Sequence, residues 1–516
     1  MAWTMKRKGA AALMLPLAMV AVHTPAFAQA AANTAADAHA SSWSFAHENV
    51  LGTSLDVRVR ATNYAEAQRA EAAALQVFDG EEARLSSWRK DSELSQWERT
   101  RFEPVKVSPE LFAMLASFDA WREKSNGALD ASAEAAAQLW KRTAAEGRKP
   151  TAAEIRTTVE AMQQPHWTLD AANGTATRLS DVPLAFATFA KSAITTKAAD
   201  AAMAAGAHGV VLNVGGDVVV RGAMSERVAI ANPAADAEND SALAEVNVQD
   251  RAVATSGSYR REVAAEMSHI LDPRTAMPTG HVLSSTVIAR DAETAGALAT
   301  AMSVLSPEES ATLAAKSGDA AYMLVMADGS QVRSAGWAAY EQAAVKPVAY
   351  SAPYAPAKAA VAGAWNPSFE LTINLELPRI EDARYRRPYV AVWVEDADHF
   401  PLRTIALWVQ NPRWIPDLKQ WYRDDQIRNL AEGTDVSKTI SSATRPAGKY
   451  SLKWDGKDNE GKLVKAGKYT ICVEVSREHG GYEIQRREIE FNGKTAQMSI
   501  AGGKELGAVT LDYRKH

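Results

Sequence analysis

Two hydrophobic periods divide the chain. From about residue 43 to 340, segments of helical period alternate with short alternating runs, whereas from 365 onward the two-residue period of strands recurs. In "SPELFAMLASFDAWREKSNG", Leu111, Leu115, Phe118 and Trp121 follow the helical period. Ser108 stands where a hydroxyl can cap, Pro109 takes the first helical position, where its missing N–H is not needed, and Gly127 stops the run. A second helix is expected over about 190–205, leading into "GVVLNVGGDVVVRG". There two β runs flank Gly215 and Gly216, residues free to take the positive φ of a hairpin turn. Further on, Phe369, Leu371, Ile373, Leu375 and Leu377 alternate strictly, and "YVAVWVED", "TIALWVQ" and "KYTICVEVSRE" repeat the pattern. With "WDGKDNEGKLVKAGKY" supplying turns, residues 365–516 read as an antiparallel β-sandwich.

Composition adds the boundaries. Residues 341–364, Ala/Pro-rich and aperiodic, read as a linker between the 43–340 and 365–516 domains. At the N-terminus, "MKRK", the apolar "AALMLPLAMVAV" and "AFA" at 26–28 form a signal peptide over residues 1–28, with the mature chain expected to begin near Gln29. The residue directly after that cleavage site is Gln29, not cysteine, and no other stretch is long and apolar enough to span a bilayer. The mature protein is therefore expected without a transmembrane segment, exported to a bacterial periplasm. A net charge of −5 gives no overall positive field, so nucleic acid is not an expected partner. The single cysteine, Cys472, excludes an intramolecular disulfide and reads as a small core residue in an alternating strand. Asp455, Asp458, Asn459 and Glu460 fit no EF-hand spacing and read as a solvated turn.

Candidate chemistry lies in segments occurring in one order: "VLGTSLDVRV" (50–59), "RLSSWRKDSELS" (84–95), "SNGALD" (125–130), "NVGGD" (213–217), "ATSGSYRR" (254–261), "HILDPRT" (269–275) and "DAETAGALATAMSVL" (291–305). The series resembles the FAD:protein FMN transferases, the ApbE-type flavin transferases, over about 300 residues. The C-terminal sandwich resembles the DUF2271 domain. The fold expected is α+β, an ApbE-like flavin transferase domain followed by that sandwich. The resemblance implies an enzyme that binds FAD with Mg²⁺ and moves FMN onto a threonine hydroxyl of a target flavoprotein, releasing AMP. Its partner would be a target of a membrane redox complex.

Carried over position by position, the resemblance implies FAD contacts at Leu51, Trp88, Ala128, Leu129, Asp130, Lys191 and Leu271. Leu51 replaces a common methionine and Trp88 a common tyrosine. His269 stands at the position of the family's proposed base, Asp272 follows it in the catalytic segment, and Thr188, through its carbonyl, and Thr300 stand at metal-ligand positions. The departures are as specific. The family's metal-binding aspartate is replaced by Gly296, four residues before Thr300, and an acidic FAD contact by Ala185. The family's P-T-V-G-P is "ASAEA" here. Glu293, one turn before Gly296, is expected to complement the helix dipole rather than reach an ion, and Asp291 to point elsewhere. These losses leave an alternative: a catalytically degenerate homologue that binds FAD or another adenine nucleotide and acts through a partner.

Overall fold

The computed structural model describes residues 40–515 except positions 88, 236, 258–261, 265–266, 269, 343–364, 381–385, 410–411, 434 and 479. The expected signal peptide, most of the expected linker, Trp88 and His269 lie outside the described residues.

An eight-stranded sheet organises the first half. Its strands are β1 (Ser41–Val50), β2 (Thr53–Ala61), β3 (Gly209–Val214), β4 (Asp217–Gly222), β5 (Ala252–Gly257), β6 (Val282–Ala289), β7 (Ala321–Met326) and β8 (Gln331–Arg333). They lie side by side in chain order, every neighbouring pair antiparallel. Alternation explains the register: Leu55, Val57, Val59 and Ala61 of β2 are all fully buried on one face. Against that face pack α1 (Tyr64–Leu85), α2 (Pro109–Lys124), α4 (Ala187–Ala204) and α5 (Ala292–Met302), with α3 (Ala133–Ala145) and α6 (Pro307–Ala315) further out. The opposite face carries Val211, Val220, Val253, Ile288 and Met323 and is covered by the hairpin of Glu226–Ile230 with Ala244–Val248 and by Trp337.

Local signals fix several elements where the sequence put them. The Ser108 hydroxyl accepts the Leu111 N–H at 3.2 Å, Pro109 begins α2, and Gly127 follows the helix end at φ +79°. The helix expected over about 190–205 starts three residues earlier, at Ala187. Gly215 and Gly216 form the two-residue turn between β3 and β4, at φ +57° and +98°. A Cβ on Gly215 would lie 2.5 Å from Thr53 Oγ1, so glycine also lets this turn press on the start of β2.

The second half is a sandwich. Its strands are β9 (Phe369–Leu377), β10 (Tyr389–Glu395), β11 (Pro401–Trp408), β12 (Gly448–Trp454), β13 (Gly467–Ser476), β14 (Tyr482–Phe491), β15 (Ala496–Ile500) and β16 (Val509–Lys515). They form two four-stranded antiparallel sheets, in the orders β12–β9–β16–β15 and β11–β10–β13–β14. Leu371, Ile373, Leu375, Val390, Val392, Val473 and Leu511 fill the space between them. Cys472 is fully buried on the outer side of the second sheet, and burial pushes its thiol pKa up, as an inert core residue requires. The Asp455–Glu460 segment is a turn in which the Asp458 carboxylate accepts the Glu460 and Lys462 N–H groups, each at 2.9 Å.

Helical segments depart from the all-strand reading of this half, and the longest of them, α7 (Lys419–Glu432), lies on the outer face of the second sheet. It buries Trp421, Asp424, Asp425 and Arg428 while Ile427 is 53% and Leu430 89% exposed. Glu474 of β13, fully buried, accepts the Gln420 and Trp421 N–H groups at 2.9 and 2.7 Å, capping the helix from the sheet. The two halves also touch. The free edge of β12 is covered by a first-half loop, where Glu238 N–H donates to the Ser451 carbonyl and the Asn239 amide pairs with both the N–H and the carbonyl of Lys453, all at 2.8 Å.

Candidate functional site

Several sequence-derived site residues gather at one end of the eight-stranded sheet. Leu51, at φ +49°, is the first residue of the tight turn joining β1 to β2 and is half-buried against the helix-side core. The glycine turn packs on the start of β2, Gly215 N–H donating to the Ser54 carbonyl at 3.1 Å. Beside that turn, Lys191 of α4 donates to the Val214 carbonyl at 3.0 Å and pairs with Asp217 at 3.1 Å. Asp217, 8% exposed, also accepts the Ser192 hydroxyl at 2.8 Å. An ammonium has three donors, so one N–H of Lys191, whose side chain is 29% exposed, is left for a ligand.

α4 links this corner to the next. Just before it, Ala185 N–H donates to the Ala131 carbonyl at 2.8 Å, placing the 128–131 loop alongside. Ala128 and Leu129 are core side chains, each 2% exposed, so only their backbone can offer polar contacts. Asp130 is engaged within the protein: Arg122 pairs with it at 2.6 Å, and the Ser132 N–H and hydroxyl donate to it at 2.8 and 2.7 Å. Gly127, in the same loop, has van der Waals room for a Cβ 3.5 Å from Arg274 Cγ, so the loop reaches the "DPRT" turn.

That turn is a small hairpin, Leu271–Asp272 paired with Met277–Pro278. Leu271 packs with Ala136, Trp140, Met162 and Ala276, and the Trp140 indole N–H donates to the Ala276 carbonyl at 2.7 Å. Asp272, 8% exposed, accepts Arg274 N–H at 2.8 Å and Arg274 Nε and Nη2, each at 3.0 Å. Arg274 Nη1 reaches Glu309 at 3.0 Å, and its carboxylate partners raise the guanidinium pKa above its ordinary value, hydrogen bonding to Asp272 first among the causes. Asp272 therefore holds the turn that follows His269. Nearby, His166 is 3% exposed between Ser180 Oγ at 2.9 Å and the Met162 carbonyl at 3.1 Å; burial is the first cause of its lowered pKa, which keeps it neutral.

The expected metal ligands have different surroundings. Thr300 lies on α5 one turn after buried Gly296, its hydroxyl 3.4 Å from Ser256 Oγ on β5. Ser285 of β6 stands directly opposite Ser256, hence on the same sheet face, and its fully buried hydroxyl has no hydrogen-bond partner. Thr188 sits in the first turn of α4. Glu293 is occupied elsewhere: its carboxylate accepts the Ser117 hydroxyl of α2. Asp291 caps α5, accepting Thr294 N–H at 2.8 Å. Among the described residues no group of three or more His, Cys, Asp or Glu is arranged to hold a metal ion. Mg²⁺ at protein sites is held through one or two carboxylates, and the oxygens of Thr300, Ser256 and Ser285 are uncharged, so they do not fit a resident divalent ion.

Sequence reading passed over Asp217, Ser192, Ser256 and Ser285. Asp217 closes the quoted "NVGGD" and Ser256 lies in "ATSGSYRR", so both were adjacent to recognised patterns. Ser192 and Ser285 carry no local signal; only the packing of α4 and the β5–β6 register brings them to the site.

Comparison with known proteins matches the two halves of the chain to two families. Residues 51–324, more than half of the chain, match the ApbE family, and residues 370–508 match a family described as "Predicted periplasmic protein (DUF2271)". An FAD:protein FMN transferase of Vibrio cholerae is 28% identical over 275 residues, covering 51% of this chain and 79% of the relative. Another from Klebsiella pneumoniae is 29% identical over 294 residues, covering 53% and 82%. In fold, the ApbE protein of Thermotoga maritima aligns with a TM-score of 0.52 at 24% identity, over 59% of this chain and all of that one. No described helix is long and apolar enough to cross a membrane. The chain thus belongs to the ApbE family, the flavin-transferase family, with a DUF2271 domain at its C-terminal end.

Proposed function

We propose that this chain binds FAD at the sheet end occupied by Leu51, Lys191 and the 128–131 loop and transfers its FMN portion to a threonine hydroxyl of a target flavoprotein. The threonine oxygen attacks the FMN-side phosphorus, the P–O bond to the adenylate breaks, and AMP leaves. His269 takes the threonine proton. Lys191 donates its remaining N–H to a pyrophosphate oxygen, held at the right height by Asp217 and the Val214 carbonyl. Asp272 positions rather than reacts, because its oxygens are taken by Arg274. Trp88 and Leu271 complete the flavin contacts, and export to the periplasm brings the enzyme to targets in membrane redox complexes. The observation that carries the reading is family membership over residues 51–324, with the Lys191–Asp217 pair set beside the glycine turn.

Thr188 and Thr300 stand at the family's metal positions, but the neutral donor set assigns no step to Mg²⁺. The same neutrality favours a second reading, a homologue that binds FAD without transferring FMN. Both are tested by incubating the mature protein with FAD and a target domain bearing an acceptor threonine, with Mg²⁺ and with EDTA, and reading covalent flavin fluorescence on a denaturing gel. A labelled target supports transfer. FAD binding without label on any target selects the second reading, and no FAD binding at all refutes both.

A further inference from the structure

The hydroxyl cluster under α5 is more than a depleted metal site. Ser256 and Thr300 approach to 3.4 Å, and the fully buried Ser285 hydroxyl, on the same sheet face, makes no hydrogen bond. A buried hydroxyl without a partner is uncommon, because leaving it unpaired forfeits a bond it could make in water. On α5 itself no acid answers it: position 296 is glycine, and Glu293 is turned to Ser117 on α2. The cluster is therefore a set of uncharged O–H donors, which suits an anion with oxygen acceptors. At the same end of the sheet Lys191, paired with Asp217 and bonded to the Val214 carbonyl, keeps one donor in hand.

We infer that this chain holds a pyrophosphate directly, without a resident divalent cation, through the hydroxyls of Ser256, Thr300 and Ser285 and the Lys191 ammonium. The inference rests on the FAD reading above for the identity of the pyrophosphate. Its physical basis is a change in sign. A carboxylate at position 296 would repel the phosphates unless a cation lay between them, so it creates a need for metal. Glycine removes both the charge and the need. The site then binds through neutral donors plus one ammonium instead of through a metal bridge.

Equilibrium FAD binding by the full mature protein, followed by quenching of flavin fluorescence, separates the alternatives. Replacing Mg²⁺ with EDTA is expected to change the Kd of the wild type by less than about threefold. Thr300→Val, which keeps the side-chain shape and removes the hydroxyl, should weaken FAD by about tenfold in both buffers, while Thr300→Ser restores it. Gly296→Asp should bind at least about tenfold more weakly in EDTA and recover with Mg²⁺. If that variant does not fold, judged by its thermal melt, the wild-type comparison and the Thr300 pair decide alone. Wild-type binding that is abolished by EDTA and restored by Mg²⁺ overturns the inference and leaves the FAD reading standing. Absence of FAD binding in either buffer overturns both.

Discussion

The Lys191–Asp217 pair offers a quantitative check on the proposed site. Its atoms are 3.1 Å apart, with side chains 29% and 12% exposed. At that separation and an effective dielectric of about 20, the gross attraction is roughly 5 kcal/mol. Withdrawing a nearly buried carboxylate from water costs several kcal/mol of that, so the net coupling should be about 1–3 kcal/mol. Asp217→Asn removes the charge but keeps an oxygen for the Ser192 hydroxyl, which donates at 2.8 Å. Lys191→Met removes the ammonium but keeps the apolar stem in place. Urea unfolding of both single variants and the double variant closes the cycle, with unchanged m-values securing the comparison. FAD titrations of the same four proteins test the functional half. If Asp217 aims Lys191 at the phosphates, Asp217→Asn weakens FAD by about three- to tenfold alone and by almost nothing in the Lys191→Met background. Stability effects that add to within about 0.5 kcal/mol, or FAD effects that multiply in the double variant, would refute the pairing and its role.

Other consequences are direct. Burial lowers the His166 pKa, so the unfolded chain takes up a proton first as pH falls below about 6.5; stability should drop from pH 7 to 5, and His166→Gln should flatten that slope in thermal melts, parallel slopes being the contrary result. Gly215→Ala places a Cβ 2.5 Å from Thr53 Oγ1 at φ +57° and should cost about 1–3 kcal/mol in unfolding free energy, part of which Thr53→Ala returns; a cost below about 0.5 kcal/mol would contradict the contact. Arg274→Lys gives up the fork onto Asp272 and should cost about 1.5–3 kcal/mol, with hydrogen exchange rising in residues 271–278 above the rest of the sheet; uniform exchange would count against a local role.

What could be read in the sequence was what is specified locally. Ser108, Pro109 and Gly127 bracket α2 because caps and stops act within one turn. The paired glycines place the β3–β4 turn because few other residues take φ +57° and +98° in succession. Position 296 was conspicuous as an interruption of a short motif. Asp217, by contrast, acquires its meaning from a lysine on a helix that precedes its hairpin, and Ser285 from strand register; no window of sequence holds either relation.

α7 shows the same limit from the other side. Apolar periodicity finds helices because helices ordinarily bury their apolar stripe. Here Asp424, Asp425 and Arg428 face inward, Arg428 pairing with Asp425 at 2.8 Å and Glu432 at 2.7 Å, while Ile427 and Leu430 face out. The segment is largely polar, and two outward apolar residues make too weak a stripe for periodicity to register as a helix. Its end is closed locally: Gly433, at φ +70°, donates to the Asn429 carbonyl at 2.8 Å, a left-handed C-terminal cap. The start is supplied from a distant strand by Glu474, which replaces the side-chain cap that Leu418 lacks. The helix is thus held by polar partners on the sheet as well as by Trp421. That specifies its position through directional bonds, and it leaves the outward Ile427 and Leu430 unconstrained by the fold's own packing.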